Sequence, residues 1–352
     1  MPEMGSSSVS VRTRPYFPEL DGIRAIAAFM IMLFHFTPIW YFPRIMVFGQ
    51  TGVDLFFVLS GFLITTILLQ SRHGDWQEVR KFYIRRTLRI FPLYYGMLIL
   101  LVIVGWKVSW WYWVYLQNIP DALHWHFVGP GHFWSLAVEE QFYLAWPFLV
   151  LFWPRRRLVS AMVFAIVLSI MVRVLLLWTH IDPFTLTLTR LDGLAGGGLL
   201  ALLYQRGSLA KAQRWLAGMV VIAIVMLGTQ SLASHGTGLT WVGITKFSSA
   251  ALLYVGSIGL VITTKDSLVH GFLRSAPMRA LGRVSYGMYV FHPAVYYYVT
   301  PYVHNFRPVL QAVVDLSVVY GLAWLSWYGY EKRFTDMKQR FAPERPFRAA
   351  AS

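Results

Sequence analysis

Residues 21–40 read DGIRAIAAFMIMLFHFTPIW, an apolar stretch as long as a helix needs to cross hydrocarbon, with Arg24 and His35 inside it. Ionisable groups within a membrane span are costly, and they mark substrate or proton paths more often than packing accidents. The two are eleven residues apart. At about 100° and about 1.5 Å per residue this is three turns plus roughly 20°, so both side chains share one face, about 16 Å apart along the axis. A single helix thus carries a cation towards one membrane surface and a titratable imidazole towards the other.

The rest of the chain fits the same setting. Its 352 residues are 57% hydrophobic and 17% aromatic but only 13% charged, with a mean hydropathy of +0.52. A soluble domain carries about twice that charged fraction. The sequence therefore predicts an all-α, polytopic integral membrane helical bundle. The net charge of +15 would suggest nucleic acid in a soluble protein; here membrane orientation accounts for it and no nucleic-acid partner is expected. The absence of cysteine excludes a thiol nucleophile, Cys-ligated zinc and disulfides. The first twenty residues lack an apolar core, so the first span itself is expected to direct insertion.

Hydropathy gives about ten transmembrane helices, at roughly 22–40, 50–70, 90–106, 133–153, 158–178, 188–204, 215–233, 241–264, 284–303 and 309–330. The aromatic stretch Trp110 to Tyr115 reads as a re-entrant or interfacial element. With the N-terminus inside, alternate loops collect most of the 31 Lys and Arg residues, which puts both termini in the cytoplasm. The domain reading is a flexible cytoplasmic N-terminus (1–15), a transmembrane domain (16–333) and a basic, flexible cytoplasmic tail (334–352).

Depth then groups the polar residues. His35, Asp54, Glu139, Glu140, Arg190 and Asp192 fall in one outer layer on four helices, which periodicity alone does not require. At the opposite surface Arg24 lies beside a basic loop containing Arg85, Arg86 and Arg89. Plainer readings stand next to these: Asp54 as a helix-start residue, the three arginines as positive-inside anchors, and His35 as a satisfied interhelical hydrogen-bonder. Arg173 and Lys246 read as structural or snorkelling. Gly196 to Gly198 read as permitting close helix contact. Glu139 and Glu140 point about 100° apart, so only one need face His35. His292 either lines a tunnel or packs against Tyr289. His124, His126 and His132 are placed in a wet outer loop, with no metal expected.

Six segments in order, LDGIRAIAAFMIMLFHF (20–36), GVDLFFVLSGFLIT (52–65), FYIRRTLRIFPLYY (82–95), GHFWSLAVEEQFYLAWP (131–147), RLDGLAGGGLLA (190–201) and LGRVSYGMYVFHP (281–293), resemble the membrane acyltransferase 3 family of bacterial O-antigen and exopolysaccharide O-acetylases. The chain looks like the membrane-only form, without the esterase-like domain some relatives carry. The resemblance implies transfer of an acyl group, acetyl by default, from cytoplasmic acyl-CoA to a hydroxyl of an envelope glycan or other membrane-presented, lipid-linked acceptor, in the bacterial inner membrane. It further implies that His35 and Arg24 are required for activity and that Arg85, Arg86, Arg89 and Glu139 take part.

The residue chemistry is compatible on its own terms. Thioester-to-alcohol transfer needs a base for the hydroxyl proton, and imidazole suits that near neutrality. Glu139 is expected to fix its tautomer, Tyr143 or Trp134 to donate to the oxyanion, and Arg24, Arg85, Arg86 and Arg89 to hold the phosphates of CoA. Asp54, Glu140, Tyr143, Arg190, Asp192 and His292 are assigned to substrate binding. The competing reading is a transporter or flippase of a lipid-linked sugar, in which buried His, Asp and Glu relay protons.

Overall fold

The computed structural model describes residues 16–36, 48–71, 73–233, 240–264 and 267–342. The N-terminal segment 1–15, the outer end of the first expected span at 37–40 and the end of the basic tail at 343–352 lie outside the described residues. Ten helices of fifteen residues or more follow one another: α1 (Pro18–Phe36), α2 (Gly52–Leu69), α3 (Trp76–Ile103), α4 (Trp134–Phe152), α5 (Leu158–Leu176), α6 (Leu191–Gln205), α7 (Gln213–Ala233), α8 (Thr240–Thr263), α9 (Ala276–Tyr298) and α10 (Pro308–Ser326). Among the described residues there is no β-strand. Six of the long helices are long and apolar enough to cross a membrane. The other four are the fifteen-residue α6 and α1, α4 and α9, whose polar residues lower their hydropathy.

Two departures from the sequence reading have a clear local reason. Helix α3 starts fourteen residues earlier than its apolar core, because the Asp75 side chain accepts a 2.8 Å hydrogen bond from the Gln77 N–H and caps the first turn. The basic segment containing Arg85, Arg86 and Arg89 is therefore helix rather than loop. The tail is likewise ordered as far as Ala342: α10 passes through a π turn (Trp327–Glu331) into two short helices, Lys332–Asp336 and Lys338–Phe341, which pack against α3. Arg85 holds the end of this segment, donating from Nε (2.9 Å) and Nη2 (2.7 Å) to the Ala342 carbonyl.

Helices α1 and α4 each contribute to two apolar cores. Leu20, Ile23 and Ala27 of α1 and Val138 and Phe142 of α4 join one core with α2, α6 and α8. Ile31, Met32 and Phe36 of α1 and Leu136 and Ala137 of α4 join the other with α3, α9 and α10. The seam between the two cores is where the polar residues collect. Its α2 side is fixed by glycine: a Cβ at Gly197 of α6 would meet the Val58 carbonyl and the Phe62 amide of α2, and one at Gly61 would meet the Leu194 carbonyl. Backbone-to-backbone approach of this kind is the packing mode that small residues permit between membrane helices.

A methyl group at that contact has nowhere to go. Gly197→Ala is expected to destabilise the protein by about 1–3 kcal/mol, read as a lower melting temperature in detergent. Gly218→Ala, where a Cβ meets nothing within 4 Å, should be neutral or stabilising through helix propensity. Equal melting temperatures for the two variants would contradict the packing account.

Candidate active site

A cavity of about 190 Å3 lies in the seam. Its α2 wall is the face formed by Val53, Phe56, Phe57, Ser60, Leu63, Ile64 and Ile67, the three-and-four spacing that brings residues to one side of a helix. From Val53 to Ile67 this wall is about 21 Å long. The other walls are Arg24 of α1, Arg86, Arg89 and Ile90 of α3, Ser135, Leu136 and Glu139 of α4, and Ser285, Tyr286 and Tyr289 of α9. A second cavity of about 250 Å3 shares Ile64, Ile67, Arg86 and Arg89 with the first and continues past Ser71, Glu78, Lys81 and Arg85 to Lys338. The two make one passage with a cationic end and an apolar, hydroxyl-lined interior.

The cations differ in how they are satisfied. Arg24 pairs with Asp21 at 2.8 Å, one turn away on its own helix. Arg86 lies over the Tyr143 ring, 3.7 Å from its centroid. Among the described residues neither Arg86 nor Arg89 has a carboxylate within ion-pair distance, and Arg89, deep among the helices, keeps an accessible side chain because it fronts the passage. Glu139, on the opposite wall, accepts a 2.6 Å hydrogen bond from Ser60. Two guanidinium groups thus face a cavity with no carboxylate in ion-pair contact, a setting that suits an anion, since charge inside protein is tolerated only when paired or solvated.

The first cavity ends at a hydroxyl pair. Tyr289 donates to the His132 carbonyl at 2.6 Å; with that proton committed, the 2.6 Å contact with Ser135 is a bond donated by the serine. Behind this pair stand three imidazoles. The His35 ring is 4.8 Å from that of His292, which is 4.9 Å from that of His132. Sequence reasoning put His132 in a wet loop. It lies inside, because the turn Gly131–Phe133 runs directly into α4 and its Nε2 is buried, while His124 and His126 remain exposed. Among the described residues no group of His, Asp or Glu is arranged to hold a metal.

His35 is exposed at the far end of this stack. Its Nδ1 lies 2.8 Å from the Ile31 carbonyl, one turn back on α1. A carbonyl only accepts, so Nδ1 carries the proton and the neutral ring presents its lone pair at Nε2. The backbone thus sets the tautomer that Glu139 was expected to set, and Glu139 is engaged with Ser60 instead. His292, the other α9 candidate, is fully buried, with Nδ1 donating to the Tyr289 carbonyl at 2.6 Å. Its Nε2 has no hydrogen-bond partner, and it is not in the cavity lining.

The remaining outer-layer candidates hold one another. Arg190 pairs with Asp54 at 2.5 Å, its guanidinium 3.9 Å from the Phe247 ring centroid. Asp192 pairs with Arg173 at 2.8 Å and accepts from Ser248 at 2.7 Å. Both pairs are almost wholly buried and neither lines the cavity; the structure shows them as opposite charges brought together on α2, α5, α6 and the turn before it, a structural arrangement. Glu140 and Tyr143, buried with an unpartnered oxygen each, also lie off the cavity lining. Trp134 packs edge-on against Phe57 and at a tilt against Phe184. The hydroxyl residues that do line the interior, among them Ser60, Ser135 and Tyr289, were missed. Their signal was spacing: Ser135 is one turn before Glu139, and Tyr289 three residues before His292.

The profile of the Acyl_transf_3 family, described as an acyltransferase domain, matches residues 17–328. The chain belongs to this family. Among curated proteins, the peptidoglycan O-acetyltransferase OatA of Listeria monocytogenes is 29% identical over 356 residues, covering 90% of this chain and 55% of that protein. The O-acetyltransferase OatA of Staphylococcus aureus is 26% identical over 354 residues, covering 89% and 56%. The chain thus spans about half the length of the curated relatives it matches. No solved structure matches it significantly. The Acyl_transf_3 match takes in every wall of the first cavity, from Arg24 to Tyr289.

Removing one member of a buried ion pair strands the other. Asp54→Leu should cost about 3–5 kcal/mol, measured by melting in detergent, and Asp54→Leu with Arg190→Met should recover most of that. A double variant as unstable as the single one would contradict the structural assignment.

Proposed function

We propose that this chain is a membrane O-acyltransferase that moves an acyl group, acetyl by default, from cytoplasmic acyl-CoA to a hydroxyl of an envelope glycan. The observation that carries the donor assignment is the passage itself: Arg86 and Arg89 without an ion-paired carboxylate at one end, and a mainly apolar α2 wall running about 15 Å beyond them from Leu63 to Val53. Its dimensions suit a ligand with a phosphorylated head and a narrow arm ending in a thioester. The names of the OatA relatives support acetyl as the group and peptidoglycan as the acceptor class. All ten long helices cross the bacterial cytoplasmic membrane in this reading, with both termini inside and the His35 end of α1 outside. Family membership favours group transfer over the transport reading.

In the mechanism, Arg86, Arg89 and Arg24 bind the phosphates. The acceptor enters from the exposed side of His35. Nε2 of His35 takes the proton as the acceptor oxygen attacks the thioester carbonyl; the tetrahedral intermediate collapses, the C–S bond breaks, and the proton returns to the departing thiolate. The C–O ester bond is formed and the thiol released, with the imidazole unchanged. The hydrogen bond to Ile31 keeps Nε2 free for this role. The Ser135–Tyr289 pair closes the bore in the described state, so its parting admits the thioester to the imidazole layer. Once parted, both hydroxyls become donors for the oxyanion. Glu139 accepts from Ser60 across the bore and faces the same cavity as the arginines without touching them.

The test is label transfer by the purified full-length chain from radiolabelled acetyl-CoA to muropeptides. Wild type should acetylate them. His35→Gln should fold, bind CoA and transfer nothing measurable. Arg86→Ala and Arg89→Ala should each weaken CoA binding about 10- to 100-fold. An active His35→Gln enzyme would remove the base, and unchanged CoA affinity would remove the arginines from the donor site.

A further inference from the structure

The passage has a wall that the catalytic reading leaves unused, the segment after α10. Residues 332–341 lie along α3, and Arg85 bonds the carbonyl of Ala342 through two of its nitrogens. Of the cations in this segment, Lys332, Arg333 and Arg340 are exposed, whereas Lys338 is half-buried and lines the second cavity together with Arg86 and Arg89. Among the described residues no carboxylate lies within ion-pair distance of Lys338, while Lys81, in the same cavity, is paired with Glu78 at 3.0 Å.

We propose that residues 332–342 form a clamped wall of the donor site, and that Lys338 is a phosphate-binding residue within it. The ligand class is the phosphorylated nucleotide end of an acyl thioester, so this inference rests on the donor reading above. The geometry explains why Lys338 alone of its segment turns inward. Besides Lys81, which Glu78 pairs, and Arg85, which bonds Ala342, three cations from two elements front the cavity, two on α3 and one on the tail, and the elements are held in register by Arg85. Like charges gathered without an acidic partner repel one another until an anion joins them. A lysine serves such an anion as a mobile point charge beside the planar arginines. Arg85 is then a positioning residue: it acts through the Ala342 carbonyl on where Lys338 stands.

The experiment measures CoA binding by calorimetry with the full chain in phosphatidylcholine nanodiscs. Lys338→Met should weaken CoA binding about tenfold. Lys338→Arg should bind nearly as wild type, and phosphate-free pantetheine should not distinguish the variants. Arg85→Met should bring a similar loss, and the double variant with Lys338→Met should be no worse, since both remove the same contact. If wild type binds CoA and Lys338→Met binds it equally, the wall inference falls and the donor reading stands. If wild type binds no CoA, the donor reading falls and takes this inference with it. If Lys338→Met matters only when phosphatidylglycerol is added, the lysine serves a lipid headgroup and the inference is overturned. Losses that multiply in the double variant would make Arg85 an independent contact and overturn the clamp.

Discussion

Charge without a counter-ion inside a helical bundle is the constraint on which the rest depends. Burying a guanidinium costs several kcal/mol unless it is paired, and this chain pairs Arg173 with Asp192 and Arg190 with Asp54. It leaves Arg86 and Arg89 facing a cavity. The same fold therefore contains two treatments of arginine, one closed and structural, one open. The open pair is held in place by strong means: Arg86 over the Tyr143 ring and α3 capped early by Asp75 so that the basic segment is helical. Rigid presentation of unsatisfied cations is what a site for a polyphosphate ligand requires.

The second feature is the division of labour along α1. Its first half packs in one core and its second half in the other, so the helix lies along the seam with Arg24 and His35 on one side of it. Arg24 enters the cavity lining, while His35 stands beyond the Ser135–Tyr289 pair, next to His292. In the proposed mechanism, donor arm and base would approach this layer of side chains from opposite ends, and its opening would bring them together.

Much of this was legible in the sequence because its signals are local. The Arg24–His35 face, the apolar segments and the role of Gly197 follow from helical spacing and composition. What was not legible depends on pairing across the bundle. Asp54, Arg190 and Asp192 looked like a polar chamber because depth alone cannot say whether opposite charges meet. Glu139 was paired with His35 by analogy with hydrolase triads, whereas His35 bonds the Ile31 carbonyl one turn back on its own helix and Glu139 bonds Ser60 on a neighbouring one. The early start of α3 was hidden because Arg80 to Arg89 dilute its hydropathy, although Asp75 before Trp76 is an N-cap signal. The order in the tail was hidden because its anchor, Arg85, lies 257 residues away in sequence from Ala342.

The central claim is that an acyl thioester occupies the passage with its phosphates at Arg86 and Arg89 and its acyl end towards His35. Photolabelling with an acyl-CoA analogue carrying a diazirine on the acyl group, followed by mapping of the adducts, tests it most directly. The account predicts adducts on α2 near Val53 and Phe56, on α4 near Ser135 and on α9 near Tyr289, all suppressed by excess CoA. Adducts confined to lipid-facing residues, or labelling that CoA does not suppress, would contradict it.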